Sequence, residues 1–171
     1  MKKSFVVISC LLIFIVLNPV YIFAKAPPKL SPECLRKMEE RDKHFNKLIM
    51  QEIIANFKLD INERSYLEMS PRELLAANMV YGGWENDSYF NSINKHFIGE
   101  FRGEPRLFIK PQEAFVLYKD PDNNDVMIHL KLIGTIWGVI DQKKKKGNEI
   151  EYKEMKCEKK YFKKKKEYYS N

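Results

Sequence analysis

Around Pro105 the hydrophobic spacing of the chain changes from a helical period to a period of two, and no other feature limits the fold as strongly. Before it, Ser31-Pro32 offers a cap residue with proline at the first helical position. Cys34, Leu35, Met38, Phe45, Leu48, Ile49, Ile53 and Phe57 then recur on one face of a helix of roughly 25 residues, with Glu39, Glu40, Arg41, Lys43 and Lys47 on the other. Ser70-Pro71-Arg72-Glu73 is a capping box, and its helix runs to Tyr81, where Gly82-Gly83 ends it. Asn86-Asp87-Ser88 caps a third helix carrying Tyr89, Phe90, Ile93, Phe97 and Phe101. After Pro105, Arg106 to Ile109, Ala114 to Lys119, Val126 to Ile140 and Glu149 to Cys157 read as strands. Gly134 and Gly138 mark a bend or bulge in the third, and Lys143 to Asn148 reads as a polar turn. Helices first and consecutive strands afterwards give an α+β fold: about three N-terminal helices packed on the apolar face of an antiparallel meander of about four strands, with one disulfide.

The first residues read as a leader. Lys2 and Lys3 precede the apolar run Phe5 to Leu17, Asn18-Pro19 interrupts it, and Ile22-Phe23-Ala24 ends in a small residue. This is the three-part order of a secretory signal peptide, residues 1–24, with cleavage after Ala24. The alternative is an uncleaved anchor, since residues 4–24 in helical form reach roughly 31 Å. Removing the leader removes Cys10 and leaves Cys34 and Cys157, which an oxidising compartment pairs by default. Closing so long a loop is worth roughly 4 to 5 kcal/mol in the chain-entropy model.

Positive charge is concentrated at the other end. The chain has 30 Lys+Arg and 23 Asp+Glu, but residues 25–158 hold 22 of each. A single domain over 25–158 is therefore close to neutral, and the excess belongs to a basic tail, 159–171, with Lys159, Lys160, Lys163, Lys164, Lys165 and Lys166. Such a tail suits a polyanion or a membrane surface, or serves as a solvated end. Its charge does not make a face for reading nucleic-acid sequence.

Motifs for chemistry are sparse. Asp120-x-Asp122-x-Asn124 resembles the opening of a calcium loop, but Asp125 stands where glycine belongs and Lys131 where a bidentate glutamate belongs, which leaves an Asx-rich turn. His44, His96 and His129 share no metal-ligand spacing. Neither a nucleophile elbow, a phosphate loop nor a dinucleotide fingerprint is present. These readings assign no cofactor, no metal and no catalytic residue. An enzyme assembled around His129 and Tyr118 in the sheet is kept as an alternative. The local binding candidate is Tyr81, Gly82, Gly83, Trp84, Glu85, Asp87 and Tyr89, where glycines admit a partner backbone and aromatics supply anchors.

A leader, a cysteine at the start of a helix, a small sheet and a second cysteine in Cys157-Glu158-Lys159-Lys160-Tyr161 resemble the layout of colicin M immunity proteins. The resemblance is one of layout; this chain adds a central helical segment, and no functional residue carries over. The sequence thus leads to the expectation of an exported, periplasmic or secreted, non-enzymatic binding protein of the bacterial envelope. It would act as an inhibitor or immunity-like protein, or as a secretion accessory, through the Gly82–Tyr89 segment or an exposed sheet edge. The alternative is binding to polyanions or a membrane surface through the lysine tail.

Overall fold

The computed structural model describes residues 26–61, 65–81 and 87–170, without the side chains of Tyr81 and Asp87. The leader and the stretch Gly82, Gly83, Trp84 and Glu85 lie outside the described residues. The chain divides into two units, Leu30–Lys159 and a second made of Met1–Lys29 with Lys160–Asn171.

The first unit holds a five-stranded antiparallel sheet and most of the helical structure. In chain order its elements are α1 (Pro32–Phe57), β1 (Leu67–Met69), α2 (Pro71–Tyr81), α3 (Asp87–Asn94), a 3-10 turn (Lys95–Phe97), β2 (Arg106–Lys110), β3 (Glu113–Lys119), β4 (Asn124–Ile133) and β5 (Ile136–Lys146). A last helix, α4 (Lys156–Tyr169), starts in this unit and continues into the second. The strands lie side by side in chain order, β1-β2-β3-β4-β5, as a plain meander.

Local signals set the helix starts. Ser31 is in extended conformation, and its hydroxyl accepts from the Cys34 N–H at 3.2 Å; Lys58 closes α1 in the left-handed region at φ 54°. At α2 the capping box is complete, Ser70 Oγ accepting from Glu73 N at 3.2 Å and Glu73 Oε2 accepting from Ser70 N at 2.6 Å. Helix α3 ends at Asn94 rather than reaching Phe101, because Gly99 turns the chain at φ 143°. Phe101 packs edge-on to Tyr118 instead, with ring centroids 4.9 Å apart.

Helices cover both faces of the sheet, where the sequence pattern suggested one. Phe45, Ile49, Met50 and Ile53 of α1 pack on Phe108, Phe115, Leu117 and Met127. Leu74 of α2 and Ile93 of α3 pack with Leu107, Val116, Val126, Ile128, Leu130 and Trp137. Side chains alternate along a strand, so these sets occupy opposite faces. Met127, on what the alternation presents as a mixed face, is 3% exposed because α1 lies over it.

Three strand expectations are corrected. Val126 to Ile140 is two strands: the chain reverses at Gly134-Thr135, with Gly134 at φ 63° and Ile133 opposite Ile136. A register shift between His129 and Leu130 adds a bulge in the β4–β5 ladder. The lysine run Lys143 to Lys146 is not a turn but the end of β5. Glu149 to Cys157 forms no strand, since the place beside β4 is already taken by β5. Ile150 there packs against the α1 core, and Tyr152 meets Phe45 edge-on at 5.0 Å. The additional strand β1 arises from a connection too short to show a period.

The Cys34–Cys157 disulfide is present, with Cα atoms 6.1 Å apart and a sequence separation of 123. It joins the first turn of α1 to the first turn of α4 rather than to a last strand. Beside it, Arg41 pairs with Glu158 and lies over the Tyr152 ring at 4.3 Å.

Candidate functional site

One flank of α1 and the β1 edge of the sheet enclose an open groove of about 780 Å³. Its apolar floor is made by Met50 and Ile54 from α1, Phe108 from β2, and Ile61 and Tyr66 from the approach to β1. Lys43, Asn46, Lys47 and Gln51 stand along the helix side, a spacing of three and four residues that keeps them on one flank. Leu67 and Glu68 form the opposite rim, and Leu67 is 63% exposed. Strand β1 pairs with β2 alone, so among the described residues its outer edge has no strand partner. An unpaired edge presents backbone donors and acceptors to an incoming strand.

Charge around the groove is unevenly satisfied. Arg106 is held by Glu68 at 3.3 Å and Glu104 at 3.0 Å, and Lys43 by Glu39 at 2.9 Å. Lys47 makes no ion pair among the described residues. A groove with an apolar floor, an open backbone edge and lysines on one rim can take an extended peptide that carries an apolar side chain and a carboxylate. Sequence reasoning placed Lys43 and Lys47 on a solvated helix face and did not recognise β1. The one available signal was that Lys43, Lys47 and Ile54 share a helix flank.

Tyr66 connects the groove to a polar cluster. Its hydroxyl donates to Glu113 Oε2 at 2.9 Å, His129 Nε2 lies 2.7 Å from Glu113 Oε1, and Lys110 pairs with the same carboxylate. The Lys110 ammonium above all holds the Glu113 carboxyl down to about 2, against a smaller opposing effect of burial. His129 stacks on Phe115 with centroids 4.3 Å apart. Glu113 is thus a fully engaged acceptor, poorly suited to take a further proton. Tyr118 is opposite Val126 in the β3–β4 register and His129 is opposite Phe115, which puts Tyr118 and His129 on different faces of the sheet. The enzyme alternative built on that pair is therefore not assembled.

A second charged cluster is buried outright. Lys119, fully inaccessible, lies 2.7 Å from Asp125 and 2.8 Å from Glu52, and donates to the Asn148 carbonyl at 3.2 Å. Asn56 donates to the other Asp125 oxygen. Burial raises the Glu52 carboxyl, but Lys119 and Asn148 outweigh it and leave it below its ordinary value. This cluster ties α1 to the β3–β4 hairpin. The Asx-rich turn beside it is formed as such: Asp120 Oδ1 accepts from the Asn124 N–H at 2.8 Å, and Lys144 pairs with Asp120 at 2.6 Å.

Of the expected binding segment, Tyr81 ends α2 and Asp87 begins α3, while Gly82, Gly83, Trp84 and Glu85 are outside the described residues. Tyr89 is half-buried, with its ring 5.7 Å from Trp137 and 5.2 Å from Phe90. Leading into that segment, Leu75 and Met79 are exposed one turn apart on α2. The tail lysines Lys159, Lys160, Lys163, Lys164, Lys165 and Lys166 are all exposed on α4. The other run, Lys143 to Lys146, is engaged: Lys143 with Asp141, Lys144 with Asp120, Lys145 with the Asn56 carbonyl and Lys146 with the Asp122 carbonyl. No group of three or more His, Cys, Asp or Glu among the described residues is placed to hold a metal ion.

Comparison of the chain with protein-family models, curated proteins and solved structures finds no match in any of the three.

Proposed function

We propose that the chain is an exported, non-enzymatic binding protein of the bacterial envelope that captures an extended segment of a partner protein in the groove between α1 and β1. The observation that carries this reading is the unpaired β1 edge alongside an apolar-floored groove. Main-chain pairing to an open edge supplies affinity, and alternate side chains falling into a neighbouring pocket supply specificity. Here the pocket takes an apolar side chain over Met50, Ile54 and Phe108, and Lys47 takes a carboxylate. An inhibitor, an immunity-like protein or a secretion accessory works by such contact without chemistry of its own. The leader order of residues 1–24 and the Cys34–Cys157 bridge both suit export to an oxidising compartment.

The test is capture of envelope proteins by the parent chain and by Lys47→Glu and Ile54→Asp. Charge reversal at a rim lysine is expected to weaken capture about tenfold, roughly 1.4 kcal/mol, and to remove most of its salt dependence. A charge on the floor abolishes it. Capture indifferent to both changes rejects the groove. A second reading uses the exposed Leu75 and Met79 of α2 together with the Gly82–Tyr89 segment; loss of capture in Met79→Asp, with the groove variants unaffected, selects it.

A further inference from the structure

The fourteen residues of α4 divide into an aromatic arc, interrupted by Lys165, and a lysine-rich remainder. At 3.6 residues per turn, Tyr161, Phe162, Tyr168 and Tyr169 gather within about a third of the circumference. Lys159, Lys160, Lys163, Lys164 and Lys166 fill the opposite side, with Glu167 the acidic residue among them. Half of the aromatic face is left open by packing: Phe162 is 52% and Tyr169 69% exposed, while Tyr161 and Tyr168 are half-buried. Lys165 falls within the aromatic arc, its ammonium 5.8 Å from the Tyr161 ring centre, and its long stem lets the charge reach the headgroups from there.

We propose that α4 lies flat on a bilayer surface rich in anionic lipid, with its lysines among the headgroups and Phe162 and Tyr169 seated at the acyl boundary. Charge complementarity names the occupant: each lysine near an anionic membrane is worth about 1 kcal/mol, and several act together here. A soluble polyanion would satisfy the lysines and leave the exposed aromatics in water, whereas a bilayer satisfies both faces at once. At 1.5 Å per residue α4 is about 21 Å long, short of the ~30 Å core of a bilayer. No helix among the described residues is long and apolar enough to cross a membrane. The helix is thus built to lie on the surface. Cys157 in its first turn is bonded to Cys34 in the first turn of α1, so the start of α4 is tied covalently to the start of α1. The inference uses α4 alone and does not depend on the groove.

The experiment uses the full chain with Phe162→Trp, its emission taken as the difference from the parent chain, which carries Trp84 and Trp137, on mixing with vesicles of phosphatidylglycerol and phosphatidylcholine, or of phosphatidylcholine alone. A probe at position 162 reports this helix and not the apolar run Phe5 to Leu17. The expected result is a blue shift with anionic vesicles only, reversed by high salt. In sedimentation, Phe162→Ser with Tyr169→Ser lowers binding to the anionic vesicles at least tenfold, while circular dichroism is unchanged. An unshifted emission with both vesicle types overturns the proposal. So does an equal affinity for heparin that the double serine variant retains, which would make the tail a polyanion site.

Discussion

Lys119 is the residue on which the joint between α1 and the β3–β4 hairpin turns. Its ammonium has no solvent access and faces two carboxylates, from Glu52 on the helix and Asp125 across the strand pair. Removing one member of such a cluster leaves the others charged and buried, which costs about 3 to 5 kcal/mol, whereas the intact cluster adds little over a well-packed apolar one. Lys119→Met is therefore expected to lower the unfolding free energy by about that amount, measured by urea titration, and Lys119→Met with Asp125→Leu to recover much of it. Gly147 belongs to the same joint: a Cβ there would stand 2.3 Å from Lys119 Nζ. None of this was legible in the sequence. Lys119 and Asp125 flank a run of turn residues and read as ordinary solvated charge, because their burial is decided by where Glu52 and Asn56 arrive from elsewhere in the chain.

Among the elements, the strands are cross-tied by carboxylates whose protonation sets an acid limit. Glu113 on β3 binds Lys110 from β2 and His129 from β4, and Asp120 after β3 binds Lys144 from β5. Burial works against the Asp120 anion, yet Lys144 and Asn124 bring it to about 2, and Glu113 also titrates at about 2. Unfolded, these groups take up protons near their ordinary values of 3.8 and 4.5. Folded carboxyls held below their unfolded values contribute stability that is complete above the unfolded values and disappears as pH falls towards 2. The unfolding free energy is thus expected to fall between about pH 4.5 and 2, with a shallower slope in Glu113→Gln; an equal slope in that variant would discard the assignment. Element signals were legible where they are local. Ser31 and Ser70 cap the helices they were read to cap, since a cap is made with residues three positions away. The β4–β5 reversal was not, because the apolar spacing continues through Ile133-Gly134-Thr135-Ile136. The stretch Glu149 to Cys157 alternates like a strand, but only the complete sheet shows that its place is filled.

At the largest scale, one covalent link closes the chain and one groove carries the proposed binding. The disulfide spans a sequence separation of 123 and closes nearly the entire folded chain. Reduction, or Cys34→Ser with Cys157→Ser, is expected to cost roughly 4 to 5 kcal/mol if loop entropy dominates, seen as a lower urea midpoint. The α+β class, the chain-order strands and the bridge were legible from periodicity and cysteine count. Coverage of both sheet faces was not, nor was the groove, which exists because α1 crosses beside a three-residue edge strand that has no pattern of its own. Partner capture is the behaviour proposed for that groove. A photocrosslinking amino acid at position 47 in the producing cell, with the adduct mapped by peptide mass, reads that capture directly. One protein adduct is expected, its crosslinked peptide an extended segment bearing an acidic group, and lost in Ile54→Asp. Adducts spread over many proteins, or one unchanged in that variant, would contradict it.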